Sequence, residues 1–227
     1  MLFSVLRSGG SFSEILLTIL ILAFCVLLSL TVHELCHGLA AYWMGDKTAK
    51  QSGRLSMNPL HHLEPMGALC LFLFGFGWAR PVPVNPWNFK HKKVGMVLTS
   101  LAGPFSNFLL AFLAQVGASF LLNLTFASDT SATFRLATVC YILCQYLVTI
   151  NLGLGLFNLI PIPPLDGSKV LNSILPARIY FKLMEYERYG FIILIILINL
   201  PFFNQFLYFC EDGILSLFNN IISLFIH

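Results

Sequence analysis

"TVHELCHGLAAYWMG", Thr31 to Gly45, places two imidazoles, a carboxylate and a thiol directly after Ile15 to Val32, eighteen residues of nearly unbroken hydrocarbon. Ionisable side chains are costly at membrane depth, so where they occur they face a protein interior or a wet cavity and mark a working site. The stretch therefore poses both questions at once: whether the chain lies in a membrane, and what a polar cluster does there.

Composition answers the first. The 227 residues are 57% hydrophobic and only 10% charged, with a mean hydropathy of +0.81. This excludes an ordinary soluble domain and predicts an all-α polytopic membrane protein. The length leaves room for one membrane-embedded domain over 1–227, with a core over about 13–189, and no polar stretch is long enough for a separate soluble module. Arg7 ahead of the first apolar run resembles the start of a signal peptide. No small-residue cleavage site precedes the polar cluster, so the run reads as retained. The six cysteines lie scattered in apolar segments without a C-x-x-C pair and read as small buried hydrophobes. The net charge of +3 gives no reason to expect a nucleic-acid partner.

Apolar stretches run from about Ile15 to Met44, Val94 to Leu122, Phe134 to Ile160 and Tyr189 to Phe209, with a marginal one from Gly213 to Ile226. Spanning takes about 20 residues, which predicts four to five transmembrane helices. Met66 to Trp78 is too short and glycine-rich for a span and reads as a re-entrant or interfacial hairpin. If it turns back, Lys47, Lys50, Arg54, Arg80, Lys90, Lys92, Lys93, Lys169, Arg178, Lys182 and Arg188 share one face. Short basic loops stay cytoplasmic, so that face is expected in the cytosol of a cell-membrane protein, with the loop around Asp129 outside.

His33 and His37, four residues apart, lie on one face of a helix, one turn from each other. Two such imidazoles grip a metal, and a catalytic zinc takes three protein ligands and keeps a fourth position for water. Glu34 is placed to take that water's proton as general base. The alternative is a pair of core histidines bonded to backbone carbonyls, but H-E-x-x-H inside a membrane span favours the metal. For a third ligand, Asp166 sits where an apolar span breaks, in "FNLIPIPPLDGSKVL". Pro161, Pro163 and Pro164 donate no backbone hydrogen bonds there, so the helix must open beside a cavity. Spacing alone leaves two readings of Asp166 open, a zinc ligand or a helix N-cap followed by Ser168 and Lys169.

The two motifs together, HELCH at His33 to His37 and NLIPIPPLDG at Asn158 to Gly167, resemble the site-2 protease family of zinc metalloproteases that cleave within the bilayer. "SLAGPFSN", Ser100 to Asn107, is similar to that family's G-P-x-x-N element, while "GRLSMNPLHHLEPMGAL" and "RPVPVNP" resemble its compact subgroup without PDZ or CBS domains. The resemblance implies one zinc held by His33, His37 and Asp166, Glu34 as catalytic base, and Asn158 and Asn107 as substrate-binding residues. It implies transmembrane proteins as substrates in the lipid bilayer, with a separate adaptor or regulator able to select them. His61 and His62 fall in a loop near the cytosolic mouth and are expected to be solvated; contacts to substrate or to the residues behind the metal ligands are the alternative.

With the first helix ending near Gly45, His33 lies roughly 18 Å along its axis from that end, so the site needs a polar channel. A helical substrate must unwind before its carbonyls are reachable, and "PVPVNP", Pro81 to Pro86, offers backbone donors at Val82, Val84 and Asn85 for pairing with an extended strand; a plain spacer is the alternative. Two other classes compete with the protease. A non-proteolytic zinc-containing adaptor or holdase has no use for Glu34. A zinc transporter wants more ligands along a path, for which Asn107, Gln115 and Asn151 are poor candidates.

Overall fold

A computed structural model describes residues 11–74, 79–127, 132–176 and 187–225. Its elements are helices α1 (Phe12–Trp43), α2 (Thr48–Gln51), α3 (Pro65–Phe74), α4 (Lys92–Ala127), α5 (Ala132–Asn158), α6 (Asp166–Ile174), α7 (Glu187–Ile198) and α8 (Pro201–Ile222), with 3₁₀ turns at Pro59–His61 and Pro86–Asn88. No strand occurs among the described residues. The chain is an all-α polytopic membrane protein.

Helix α1 opens on a capping box, in which Glu14 N–H donates to Ser11 Oγ and Ser11 N–H to Glu14 Oε2. It ends ahead of Gly45, whose φ of 111° lies in the left-handed region that favours glycine. Helices α1, α4 and α5 are long and apolar enough to cross a membrane, and they pack on one another. Their shared core combines Leu22, Cys25, Val26 and Leu30 of α1 with Ala111 and Ala114 of α4 and Val148, Ile150 and Leu152 of α5. Outward they present Leu20, Phe24, Phe105, Leu113 and Phe120, all exposed. That is the pattern of a bundle whose solvent is lipid: large apolar groups face outward as well as inward.

Two sequence expectations need correction. The stretch Tyr189 to Phe209 is not one straight span. It breaks at Asn199 and Leu200, and the helices on either side are bent by 77°. Pro201 occupies the first turn of α8, where its missing N–H costs nothing, and its ring prevents α7 from running on. Gly213 to Ile222 is likewise no separate segment but the second half of α8. Among the described residues three helices are long and apolar enough to cross, or four if the bent pair counts as one span.

The short segment is helical over Pro65–Phe74. At about 1.5 Å per residue, the ten residues of α3 reach about 15 Å, half the hydrocarbon thickness. Beyond it, Arg80 N–H donates to the His62 carbonyl at 2.9 Å, so the excursion's two ends meet. Residues 75–78, the loop at 128–131 and the segment holding Arg178 and Lys182 lie outside the described residues.

Because those ends meet, cysteines placed at the exposed positions Gln51 and His91 should react with a membrane-impermeant maleimide from the same side, and one at Thr133 from the opposite side. Opposite accessibility of Gln51 and His91 would make the α3 region a crossing.

Candidate metal centre

His33 and His37 point from the C-terminal third of α1 toward the α4–α6 side, where the two ring centroids are 4.5 Å apart. His33 Nε2 and His37 Nε2 are 2.9 Å apart and stand 3.1 and 2.9 Å from Asp166 Oδ2. All three residues are buried. They form a candidate metal cluster.

The other ring nitrogens decide what converges. His37 Nδ1 lies 2.6 Å from the Thr99 carbonyl and His33 Nδ1 2.8 Å from Asn107 Oδ1. A carbonyl only accepts, so each Nδ1 carries a proton, and in the neutral imidazole each Nε2 then offers a bare lone pair. Two lone pairs and a carboxylate oxygen about 3 Å apart repel unless a cation sits among them. Nitrogen and oxygen donors in this number suit zinc, and outward Nδ1–H bonds of this kind orient metal-bound histidines. The residues therefore fit the group.

Helix α6 does not use Asp166 as its cap. Its N-cap is Leu165, without a side-chain cap bond, so the cap reading of Asp166 fails. Its Oδ2 faces the imidazoles while Oδ1 accepts from Lys169 Nζ at 2.9 Å. The approach of α6 depends on Gly167, where a Cβ would drive into the carbonyls of Leu159 and Ile160. Gly103 plays the same part on α4: a Cβ there would lie 2.5 Å from His37 Cε1 and 2.6 Å from His33 Cε1. The glycine of the G-P-x-x-N element thus lets both imidazoles lie against the α4 backbone. Sequence reading found the element but not this reason, which belongs to the packing of two helices. Thr99, Lys169, Asn151 and Ser29 were also missed as neighbours of the centre, since nothing local to them signals it.

Glu34 is buried, and its Oε2 accepts from Val82 N–H at 2.9 Å. Beside it opens a cleft of about 240 Å³ lined by residues including Glu34, His37, Val82, Val84, Asp166 and Lys169. The segment from Arg80 to Asn85 is tied down at several points. Arg54 Nη2 donates to the Arg80 and Pro81 carbonyls at 3.4 and 3.2 Å, and Asn85 N–H donates to Asp46 Oδ2 at 2.7 Å. Two of the three backbone donors expected to pair with substrate, at Val82 and Asn85, are thus used within the chain; Val84 N–H has no such acceptor among the described residues. Asn158 donates back to Leu154 in its own helix, and Asn107 is fully buried behind His33. Neither lines the cleft. His61 is exposed as expected, but His62 is buried, with Nε2 on the Ser56 carbonyl at 2.8 Å; folding the loop back on Arg80 covers it.

The family model for peptidase family M50 matches residues 21–200. This chain belongs to that family, the site-2 proteases. A Bacillus subtilis (strain 168) protein named "Putative zinc metalloprotease YwhC" is 40% identical over 204 residues, covering 88% of this chain and 91% of its own length. "Putative zinc metalloprotease Rip2" of Mycolicibacterium smegmatis (strain ATCC 700084 / mc(2)155) is 30% identical over 191 residues, 80% of this chain and 68% of the relative. Its namesake in Mycobacterium tuberculosis (strain ATCC 25618 / H37Rv) is 28% identical over 184 residues, 78% of this chain and 66% of the relative. No solved structure matches significantly. The M50 chain is a multi-pass membrane protein and a zinc-dependent intramembrane protease whose substrates are membrane proteins in a bilayer.

Two predictions follow from the packing and the tethers. Gly103→Ala should weaken zinc binding about tenfold or more by displacing both imidazoles, measured by metal competition against a chelating dye; unaltered affinity would show that α4 yields. Asp46 is the second. Burial raises its pKa, but bonds from Asn88, Thr48 and Asn85 outweigh that and hold it below the ordinary carboxylate value. A depressed folded pKa stabilises the fold above the unfolded pKa of about 3.9 and is lost as pH falls through the folded value. Lowering pH from 7 to 5 should therefore leave this tether intact. Asp46→Ala should lose it at both pH values, with turnover falling and zinc retained.

Proposed function

We propose that the 1–227 chain forms a single membrane-embedded protease domain that holds one zinc through His33, His37 and Asp166 and hydrolyses peptide bonds in or near transmembrane segments, with Glu34 as catalytic base. The observation that supports this reading most is the convergence of His33 Nε2, His37 Nε2 and Asp166 Oδ2 within about 3 Å beside the buried Glu34. Zinc, when bound, polarises the scissile carbonyl and lowers the pKa of its water. The protein supplies the rest. Glu34, steadied by Val82 N–H, accepts the proton of the attacking water and passes it to the leaving nitrogen. Its other carboxylate oxygen takes no hydrogen bond among the described residues, which leaves it available for that transfer. Thr99 and Asn107 hold the imidazole tautomers, and Lys169 keeps Asp166 Oδ1 occupied so that Oδ2 serves the centre.

A helix ties its carbonyls into its own hydrogen-bond ladder, so a scissile carbonyl becomes reachable only where that ladder opens. The substrate enters unwound, as an extended strand alongside Pro81 to Pro86. Val84 N–H is the donor best placed to receive it, with the neighbouring carbonyls as acceptors; Val82 and Asn85 shape the strand rather than pair with the guest. We assign the basic loops and the mouth of the cleft to the cytoplasmic side. Without a recognition module among the described residues, substrate choice rests on the membrane core or on a separate adaptor.

Glu34→Gln should retain zinc and fold yet lower cleavage of a single-pass substrate by about 10²-fold or more, since the amide takes no proton. Asp166→Ala should lose zinc as His33→Ala does, read by metal analysis of purified protein. Undiminished cleavage by Glu34→Gln removes Glu34 from the mechanism. Full zinc in Asp166→Ala removes the third ligand.

A further inference from the structure

Behind the metal centre, away from the cleft, a line of polar groups runs through the apolar core from α4 to α5 and back to α1. His33 Nδ1 lies 2.8 Å from Asn107 Oδ1, Asn107 Nδ2 3.0 Å from Asn151 Oδ1, and Asn151 Nδ2 2.8 Å from both Ser29 Oγ and the Leu147 carbonyl. Ser29 Oγ ends the line 2.7 Å from the Cys25 carbonyl. Ser29, Asn107 and Asn151 are completely buried. Polar side chains this deep in a membrane core are expensive and usually functional, and neither the chemistry at Glu34 nor the cleft uses them.

An amide's oxygen and nitrogen, or the two tautomers of an imidazole, are told apart by the network they join, and here the network has ends that admit one direction. The Cys25 and Leu147 carbonyls only accept. Ser29 must therefore donate to Cys25, which turns a lone pair toward Asn151. Asn151 must spend its NH₂ on Ser29 and Leu147, which turns its oxygen toward Asn107. Asn107 must then donate from Nδ2, which turns its own oxygen toward His33. The imidazole has to place its proton on Nδ1 and keep Nε2 bare. His37 needs no such line, because the Thr99 carbonyl meets its Nδ1 directly.

We propose that Asn151 is a positioning residue for the zinc centre: through Asn107 it transmits the polarity of two distant backbone carbonyls to His33 and fixes the tautomer that ligates. The inference rests on the zinc reading above. Residues hydrogen-bonded behind metal ligands commonly change metal affinity by about 10- to 100-fold.

The test uses purified full-length protein stripped with a chelator and retitrated with zinc against a competing dye, with thermal stability of the stripped form measured in parallel. Asn151→Leu fills the space but leaves Asn107 free to turn its NH₂ toward His33, and should weaken zinc about tenfold or more. Asn151→Asp still accepts from Asn107 and holds its orientation. It should therefore keep zinc affinity within about threefold of wild type even though the buried carboxylate lowers the stability of the stripped protein. Affinity that follows orientation, and not stability, supports the relay. Wild-type affinity in Asn151→Leu, or losses in both variants that track their stability, overturns it. If Asn151→Leu does not fold, Asn151→Ala, which equally leaves Asn107 free to turn, takes its place: affinity lost by Asn151→Ala and kept by Asn151→Asp supports the relay, and equal affinity overturns it. A wild-type chain that binds no zinc overturns the metal reading and this inference with it.

Discussion

Three lone pairs aimed at one point hold the centre of this protein in tension. His33 Nε2, His37 Nε2 and Asp166 Oδ2 meet within about 3 Å inside a bundle whose outside is hydrocarbon. An aspartate alone costs about 2.5–3.5 kcal/mol at the centre of a membrane helix on insertion scales. Bringing acceptors together without a cation adds repulsion. Structural zinc sites in small domains release on the order of 10 kcal/mol, enough to offset such a cost. A cation held by His33, His37 and Asp166 would relieve that repulsion.

The backbone makes the convergence possible. Two helices approach the imidazoles and the proline-rich break more closely than any side chain allows, at Gly103 and Gly167. Pro104, one residue on, supplies no donor to the carbonyl four residues back, in the same stretch of α4 where the Thr99 carbonyl accepts from His37. The residues that look least chemical therefore set the distances on which the chemistry depends.

On the cleft side, the Arg80 to Asn85 segment carries Glu34's partner. It is held by His62, Arg54 and Asp46, none of which belongs to the candidate metal cluster. Its prolines withhold donors at Pro81 and Pro83, so the donors that remain fall at defined points, one on Glu34 and one open at Val84. The loop thereby joins the position of Glu34 to the wall of the cleft.

The sequence by itself determined the membrane class, the spacing of His33 and His37, and the place where a span must open before Asp166. Each is local: a hydrocarbon run, a period of 3.6 and prolines without N–H groups speak through their nearest neighbours in the chain. The same local logic made Met66 to Trp78 too short for a span, because length is also read along the chain. Only the tertiary structure decided that Asp166 faces the imidazoles rather than capping α6, since both uses suit the same residue in the same turn. It also decided that Asn107 stands behind His33, that His62 is buried, that Val82 serves Glu34, and that the last apolar stretch bends at Pro201 and runs on through Gly213. These depend on which helix faces which, at a precision of one carbonyl or one methyl group, and contacts between residues over a hundred positions apart leave no mark on either one's neighbours in the chain.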